Sequence, residues 1–345
     1  MPRALILGGT GLIGRATAER LLAAGWSVDV TGRDARHVPN ELRALGATFL
    51  SVNRDDDAAL IAAMGDGADL LVDCLCYTAA DATTLLPLAR DATSTVMLSS
   101  KAVYADDAGN HSNSDVAPRF DGPILESQST VAPGDGDFMT REGYGANKVA
   151  AEHVLLDSGL PVSVIRPSKV HGAGALRPRE WIFIKRALDR RPAVFLAHRG
   201  AGIDHTSAAM NIAALIEVSA AAPASRILNC ADPVAPSALD ISRAIAKILD
   251  HEWDEVLLDR DDHGTLGDHP WDAPYPIVLD MTKALELGYE PVGTFEETVR
   301  AEVEWLVPLV SAGARPVELP SDLDVAFFES FFDYASEDRY LAQRG

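Results

Sequence analysis

Leu5-Ile6-Leu7-Gly8-Gly9-Thr10-Gly11-Leu12-Ile13-Gly14 is the stretch that decides the fold. The apolar residues leading into it have the composition of a buried strand. The glycines at 8, 11 and 14 permit a tight turn and a close approach of backbone, and residues 15–24 carry a helical pattern. A turn of this kind leaves the first N–H groups of the helix unpaired and partially positive, facing whatever anion sits before them. Side chains at the glycine positions would block that approach. With a second strand at 27–31, the arrangement is a strand-turn-helix of the type that holds the pyrophosphate of a dinucleotide.

Working outward, strand-like apolar runs recur at 4–7, 27–31, 48–52, 70–75, 95–98 and 162–165, with helical patterns at 58–64, 83–89 and 144–157. That alternation predicts an α/β, Rossmann-type doubly wound parallel sheet. Between 105 and 142 the pattern fails. This Asp-, Gly-, Ser- and Pro-rich stretch is too long for an ordinary connection and is expected to be a lid, a substrate loop or a mobile excursion. After Arg166 the alternation loosens, and helices at 180–190, 208–222 and 237–249 suggest a smaller, interleaved substrate domain. The expected boundaries are 1–165 with 200–232 for the dinucleotide-binding domain, 166–199 with 233–310 for the substrate domain, and 311–345 as a C-terminal extension. The substrate is expected between the two parts. In the extension, Phe327, Phe328, Phe331 and Phe332 read as a contact between copies of the chain in a homo-oligomer, or as a docking helix.

A formal charge of −21 over 345 residues argues against nucleic acid or an anionic membrane as the main partner, because phosphate binding draws on clustered Lys and Arg. The densest basic cluster, Arg177, Arg179, Lys185, Arg186, Arg190 and Arg191, reads as a solvated helix face. No apolar run reaches membrane-spanning length, and the glycine-broken amino terminus does not read as a signal peptide, so a cytoplasmic protein is expected. Cys74 and Cys76 alternate along an apparent strand and so should share one face, with Cys230 far away; buried thiols are expected, with no disulfide and no metal site.

Tyr144-Gly145-Ala146-Asn147-Lys148 places a phenol and an ammonium on the same face of a helix. Ser99-Ser100-Lys101-Ala102-Val103-Tyr104 directly follows the fifth strand, where a doubly wound sheet delivers residues to its carboxyl-end crevice. Together with the glycine turn, these residues make the chain resemble the extended short-chain dehydrogenase/reductase superfamily, the NAD(P)-dependent nucleotide-sugar epimerases, dehydratases and related reductases. Arg166-Pro167-Ser168-Lys169-Val170-His171-Gly172 is similar to that family's Arg-Pro…Gly turn after the sixth strand, and residues 295–306 to its closing helix.

The resemblance implies that Ser100, Tyr144 and Lys148 are catalytic. Tyr144 would be the general acid or base, Lys148 would hold the nicotinamide ribose and lower the phenol pKa, and Ser100 would hydrogen-bond the reacting oxygen. A phenol with a pKa of about 10 is a poor base at neutral pH, and a neighbouring cation is one of the few ways to improve it. The same resemblance implies cofactor contacts from Gly8, Thr10, Gly11, Leu12, Ile13, Gly14, Arg33, Asn53, Arg54, Leu75, Tyr144, Lys148, Pro167 and Val170. An acid at the end of the second strand would hydrogen-bond the ribose of NAD and repel a 2′-phosphate. Here Gly32 stands there, followed by Arg33 and, a turn later, Arg36, which favours NADP; Asp34 leaves NAD open. Lys101 and His171 are expected to face a substrate with an anionic or hydroxyl-rich group.

Departures from the family narrow the reaction. Sugar 4,6-dehydratases follow their serine or threonine with an Asp-Glu pair, whereas here Lys101-Ala102 follows Ser100, so dehydration is not expected. The usual His-Val-Asp-Asp segment is Asp204-His205-Thr206-Ser207-Ala208 in this chain, which weakens a sugar-nucleotide assignment. Asp73-Cys74-Leu75-Cys76-Tyr77 and Asn53-Arg54-Asp55-Asp56 resemble a divergent branch that includes chloroplast RNA-associated proteins. The expected function is an NADP-dependent oxidoreductase acting on a carbonyl or secondary alcohol of a small polar metabolite, a sugar or natural-product intermediate. The alternatives are a nucleotide-sugar epimerase that retains its NAD(P), and a non-catalytic RNA- or protein-binding module on the same scaffold.

Overall fold

The computed structural model describes residues 1–259, 264–313 and 328–344. Contacts divide the chain into two compact units, residues 1–170, 207–232 and 279–292 in the first and 171–206, 233–278 and 293–345 in the second.

The first unit is built on seven strands: β1 (Arg3–Leu7), β2 (Ser27–Gly32), β3 (Thr48–Ser51), β4 (Ala68–Asp73), β5 (Ala92–Leu98), β6 (Val162–Pro167) and β10 (Arg226–Cys230). They lie in the order β10-β6-β5-β4-β1-β2-β3, and every neighbouring pair is parallel. The order reverses between β1 and β4, where a doubly wound sheet opens its crevice. Strand periodicity sorts the apolar residues onto two faces. Ala4, Ile6, Val28, Val30, Leu70, Val72, Val96, Leu98 and Ile165 pack with α1 (Leu12–Ala23), α2 (Asn40–Ala44) and α7 (Ala209–Ala221). Leu5, Leu7, Leu71, Met97, Val162 and Val164 pack with α3 (Asp57–Met64), α4 (Ala79–Arg90) and α5 (Arg141–Leu156). Short α9 (Thr282–Glu286) completes this unit, adding Ala284 to the first face.

Some expectations change. The fourth strand stops at Asp73, so Cys74 and Cys76 lie beyond it and do not share a face: Cys74 packs on the α1/α7 layer and Cys76 on the α4/α5 layer. All three cysteines are free thiols, Cys76 and Cys230 buried and Cys74 partly so. The helix expected at 83–89 begins four residues earlier, at Ala79, because Thr78 and Asp81 form a reciprocal capping box ahead of the apolar pattern. The segment 105–140 is tied down. Ala105 donates to Ser129, Val131 donates to Val103, and Asn147 holds the Gly136 carbonyl at 2.7 Å. Asn229 of β10 binds it as well, its side-chain amide donating to the carbonyls of Ile124 and Asp280 and its N–H to Glu126. Residues 279–292 rejoin the first unit through this bond to Asp280, the packing of Ala284 and Tyr289 in its core and the Val292 N–H on Asn211, a return that the expected boundaries did not contain.

The second unit has a two-stranded parallel pair, β8 (Ala193–Leu196) and β11 (Asp254–Leu257), with α6 (Trp181–Leu188), α8 (Ala238–Ile248), α10 (Phe295–Ser311) and α11 (Tyr334–Arg344). Short strands β7 (Lys169–His171) and β9 (Thr206–Ala208) lie where the chain passes from one unit to the other. Its core gathers Trp181, Ile184, Val194, Ile241, Trp271, Val299 and Val303. The basic cluster read as a solvated face is not one throughout. Arg186 is buried, paired with Glu337 at 2.7 Å and donating to the Phe331 carbonyl, while Arg191 reaches Glu337 and Asp338 and lies 4.3 Å over the Tyr334 ring. The tail therefore packs on its own unit through Phe331, Phe332 and α11; Phe327 lies outside the described residues. No helix among the described residues is long and apolar enough to cross a membrane.

One polar cluster fixes α5 against the sheet. Glu152 and Arg166 are 1% and 3% exposed and form a two-pronged ion pair, Arg166 Nε to Glu152 Oε1 at 3.0 Å and Nη2 to Oε2. Ser99, at the end of β5, donates to the same carboxylate. The guanidinium lies 4.8 Å over the Tyr104 ring, whose hydroxyl donates to Asn229. Burial works against the Arg166 charge, but the Glu152 carboxylate outweighs it and holds its pKa above the ordinary value. Removing one member of such a pair strands the other without water. Glu152→Ala is expected to lower the unfolding free energy by about 3–5 kcal/mol, read from urea denaturation, and a loss within the range of a surface substitution would show that the pair is dispensable.

Candidate active site

The glycine turn is shaped by two different demands. Gly8 takes φ +76°, and a β-carbon there would stand 2.8 Å from Leu75. One on Gly9 would stand 2.5 Å from Val30, and one on Gly14 2.5 Å from the Gly8 carbonyl, so the chain's own packing requires these three glycines. Gly11 is different. It is exposed, and its β-carbon would meet nothing nearer than Gly8 O at 3.4 Å. It is also the N-cap of α1, which has no side-chain cap and no acidic residue in its first turn. The N–H groups there stay open to an anion, and the space beside them is left clear by a residue that internal packing does not demand.

On α5 the polar residues Tyr144, Lys148 and Glu152 recur every fourth position and share one face. Thr140 starts the helix by accepting from the Gly143 N–H. Gly145 lets its first turn approach the short 3-10 helix at Lys101–Val103, since a β-carbon at Gly145 would stand 2.6 Å from the Ala102 carbonyl. Ser100 caps that 3-10 helix, its hydroxyl oxygen accepting from the Ala102 N–H at 3.1 Å. The start of α5 and the Ser100 turn are thus held against one another. Lys148 is buried, and its ammonium donates to the carbonyls of Cys76 at 2.8 Å and Leu98 at 2.9 Å, just past β4 and at the end of β5. Tyr144 is half-buried, its ring 6.0 Å from Lys148 Nζ and 6.4 Å from the ring of Tyr77.

Three residues to which the sequence reading gave no role in the site complete the surroundings. Tyr77 stacks on Phe138 at 5.2 Å and takes Lys148 Nζ over its face at 4.3 Å. Burial, then the neighbouring Tyr144, pushes its phenol up to about 12. Asp73 is fully buried at the end of β4, accepting from Leu75 N–H and paired with Arg54 at 2.6 Å. Burial raises the Asp73 pKa against the opposing pull of Arg54. Glu152 is the third, one helical turn beyond Lys148; continuing the Tyr-Lys spacing by four residues would have found it.

The other expected residues fall as follows. Thr10, Leu12 and Ile13 are partly buried in the glycine turn and the first turn of α1, and Leu75 lies beside Gly8. Gly32 ends β2 beside Thr10, to which a β-carbon would come within 3.3 Å. Arg33 is exposed, and among the described residues its guanidinium has no hydrogen bond or ion pair; Arg36 is held by Asp34 at 2.6 Å. Asn53 is exposed after β3, while Arg54 is engaged by Asp73 and Asp81. Pro167 is buried at the end of β6, and Val170 packs on the α1/α7 layer. Lys101 is buried in the 3-10 helix after Ser100. His171 belongs to the second unit, buried, with its ring 4.8 Å from that of Phe295.

A nucleotide-type Rossmann sheet with a glycine turn at β1 and a Tyr-Lys helix beside a Ser turn defines a class, and the family model agrees with it. The chain belongs to the NAD dependent epimerase/dehydratase family, whose model matches residues 4–203. Solved structures give the fold over nearly the whole length. A UDP-glucose 4-epimerase from Stenotrophomonas maltophila with bound NAD matches at a TM-score of 0.70 and 19% identity, covering 90% of this chain and 100% of that one. A dTDP-glucose 4,6-dehydratase from Bacillus anthracis in complex with NAD gives 0.67 and 15%, with coverages of 89% and 97%. A putative epimerase from Burkholderia cenocepacia gives 0.66 and 23%, with coverages of 88% and 97%. A search of curated protein sequences finds no match.

Proposed function

We propose that the chain is an NADP-dependent oxidoreductase of the extended short-chain dehydrogenase/reductase type, acting on a carbonyl or secondary alcohol of a small polar metabolite. The observation that carries this reading is the α5 face, on which Tyr144 follows the Ser100 turn and Lys148 is fixed to two strand-end carbonyls. When bound, the nicotinamide supplies or accepts the hydride. Tyr144 gives or takes the proton at the substrate oxygen. Two of the three Lys148 N–H bonds are committed to Cys76 and Leu98, which leaves one to donate on the face that carries Tyr144. Ser100 uses its oxygen as an acceptor for Ala102, so its proton is available to the same substrate oxygen. Tyr77, whose phenol burial pushes up to about 12, packs the site and takes no part in the proton transfer.

The residues present fit a dinucleotide. Gly11 keeps clear a space that internal packing would allow a side chain to fill, in front of an uncapped helix terminus, which suits a pyrophosphate. Gly8, Thr10, Leu12, Ile13 and Gly14 would surround it, Asn53 and Leu75 would line the adenine side, and Pro167, Val170, Tyr144 and Lys148 the nicotinamide end. Arg54 would act indirectly, through its pair with Asp73. Arg33, exposed after Gly32 and without an ion pair among the described residues, supports a 2′-phosphate and hence NADP.

The similarity to NAD-bound epimerases favours one second reading, a nucleotide-sugar epimerase that oxidises and re-reduces the same carbon. A reductase must exchange its nicotinamide and an epimerase can retain it. Denaturing freshly purified protein is expected to release little nicotinamide; a stoichiometric yield of NAD would support the epimerase instead.

Tyr144→Phe removes only the ionisable oxygen. With NADPH oxidation followed over a panel of small carbonyl compounds, kcat is expected to fall at least ~100-fold with cofactor affinity retained, and near-normal turnover would place the proton elsewhere. Fluorescence titration is expected to show tighter binding of NADPH than of NADH, with Arg33→Ala costing NADPH about 1.5–3 kcal/mol and leaving NADH unchanged. A wild type that prefers NADH would overturn the NADP assignment.

A further inference from the structure

Three buried side chains of the second unit converge from separate elements. His171 ends β7, Glu180 immediately precedes α6, and Glu302 lies in the middle of α10. They are 1%, 3% and 0% exposed, and one donor atom from each lies within 4.8 Å of the other two. Glu302 Oε2 accepts from the Gly172 N–H at 2.6 Å, which aims the carboxylate at this point, while its buried Oε1 accepts no hydrogen bond among the described residues. The His171 ring is set by Phe295, the first residue of α10, at 4.8 Å.

Two carboxyl groups this close and this deep cannot both stay ionised without a compensating charge. A shared proton or a positive charge must therefore compensate the two glutamates. Three donor atoms of metal-ligating type, one nitrogen and two carboxylate oxygens, brought within 4.8 Å of one another from three elements point to a bound ion.

We propose that His171, Glu180 and Glu302 bind one divalent first-row transition-metal ion, with Zn2+ the best match. One imidazole nitrogen and two carboxylate oxygens form the mixed N/O set such ions take, and two glutamates neutralise the doubly charged ion. Donors around one tetrahedral ion stand about 3–4 Å apart, so the three side chains need draw in only slightly from their present spacing. Hard ions such as Mg2+ and Ca2+ prefer all-oxygen sites and are disfavoured. The ion would cross-link β7, the start of α6 and α10, tying the second unit together. This is independent of the oxidoreductase reading and gives His171 a role other than substrate contact.

The test uses full-length protein purified without chelator. Elemental analysis is expected to find close to one equivalent of metal per chain. After chelator treatment, calorimetric titration with Zn2+ should return one site, and the metal-loaded protein should melt at a higher temperature than the stripped protein. Co2+ in place of Zn2+ should give visible d–d absorption. Glu302→Gln and His171→Ala should each weaken Zn2+ binding by more than the roughly 10–100-fold that a change outside the ligand shell costs. Wild-type protein that holds no metal, takes up none above background and melts at the same temperature with and without Zn2+ would overturn the proposal and assign the site to a shared proton. Binding that persists unchanged in both variants would overturn it as well, by placing the ion elsewhere. The wild-type measurements stand even if a variant does not fold.

Discussion

Glu152 and Arg166 face one another where neither can reach water, and the first unit has to be built so that they meet. One is on α5 and the other on β6, with Ser99 of the β5 end on the same carboxylate. A buried charge tolerates little displacement of its partner, so the pair fixes the rotation and height of α5 over the strand ends. Lys148 and Tyr144 stand one and two turns back along that face. The rotation that satisfies Glu152 also brings Lys148 to the carbonyls of Cys76 and Leu98. The site thus inherits its geometry from a contact that takes no part in its chemistry.

The glycines make the complementary point. Gly9, Gly14 and Gly145 are small because Val30, the Gly8 carbonyl and the Ala102 carbonyl stand where a side chain would go. Gly11 is small with open space in front of it. Internal packing imposes the residue type at the first three and does not at Gly11, and only the positions of the surrounding atoms separate the two cases.

Charge follows a similar logic. A run of arginines in an acidic chain reads as a solvated face, yet Arg186 is buried under α11 and shares Glu337 with Arg191. The acidic excess of the sequence is partly spent on its own cations. Glu180 and Glu302 show the converse, acid brought beside acid, with His171 as the third member of the cluster.

The sheet was legible in the sequence because each strand must alternate its apolar residues between two helical layers, and the six runs read from the pattern are β1 to β6 within a few residues. The glycine turn and the Tyr144–Lys148 spacing are equally local, fixed by a few neighbouring residues. The end of β4, which separates Cys74 from Cys76, the early start of α4 at a capping box and the anchoring of residues 105–140 by Asn229 depend on hydrogen bonds rather than periodicity. The pairings of Glu152 with Arg166 and of Asp73 with Arg54, the packing of Tyr77 and the meeting of His171 with Glu180 and Glu302 were not legible for the same reason. Their partners are distant in the chain, and a polar side chain acquires its meaning only from what burial places opposite it. Hydrophobic periodicity is a property of a segment and survives in one dimension; the pairing of buried polar groups belongs to the assembled unit, and only tertiary structure decides it.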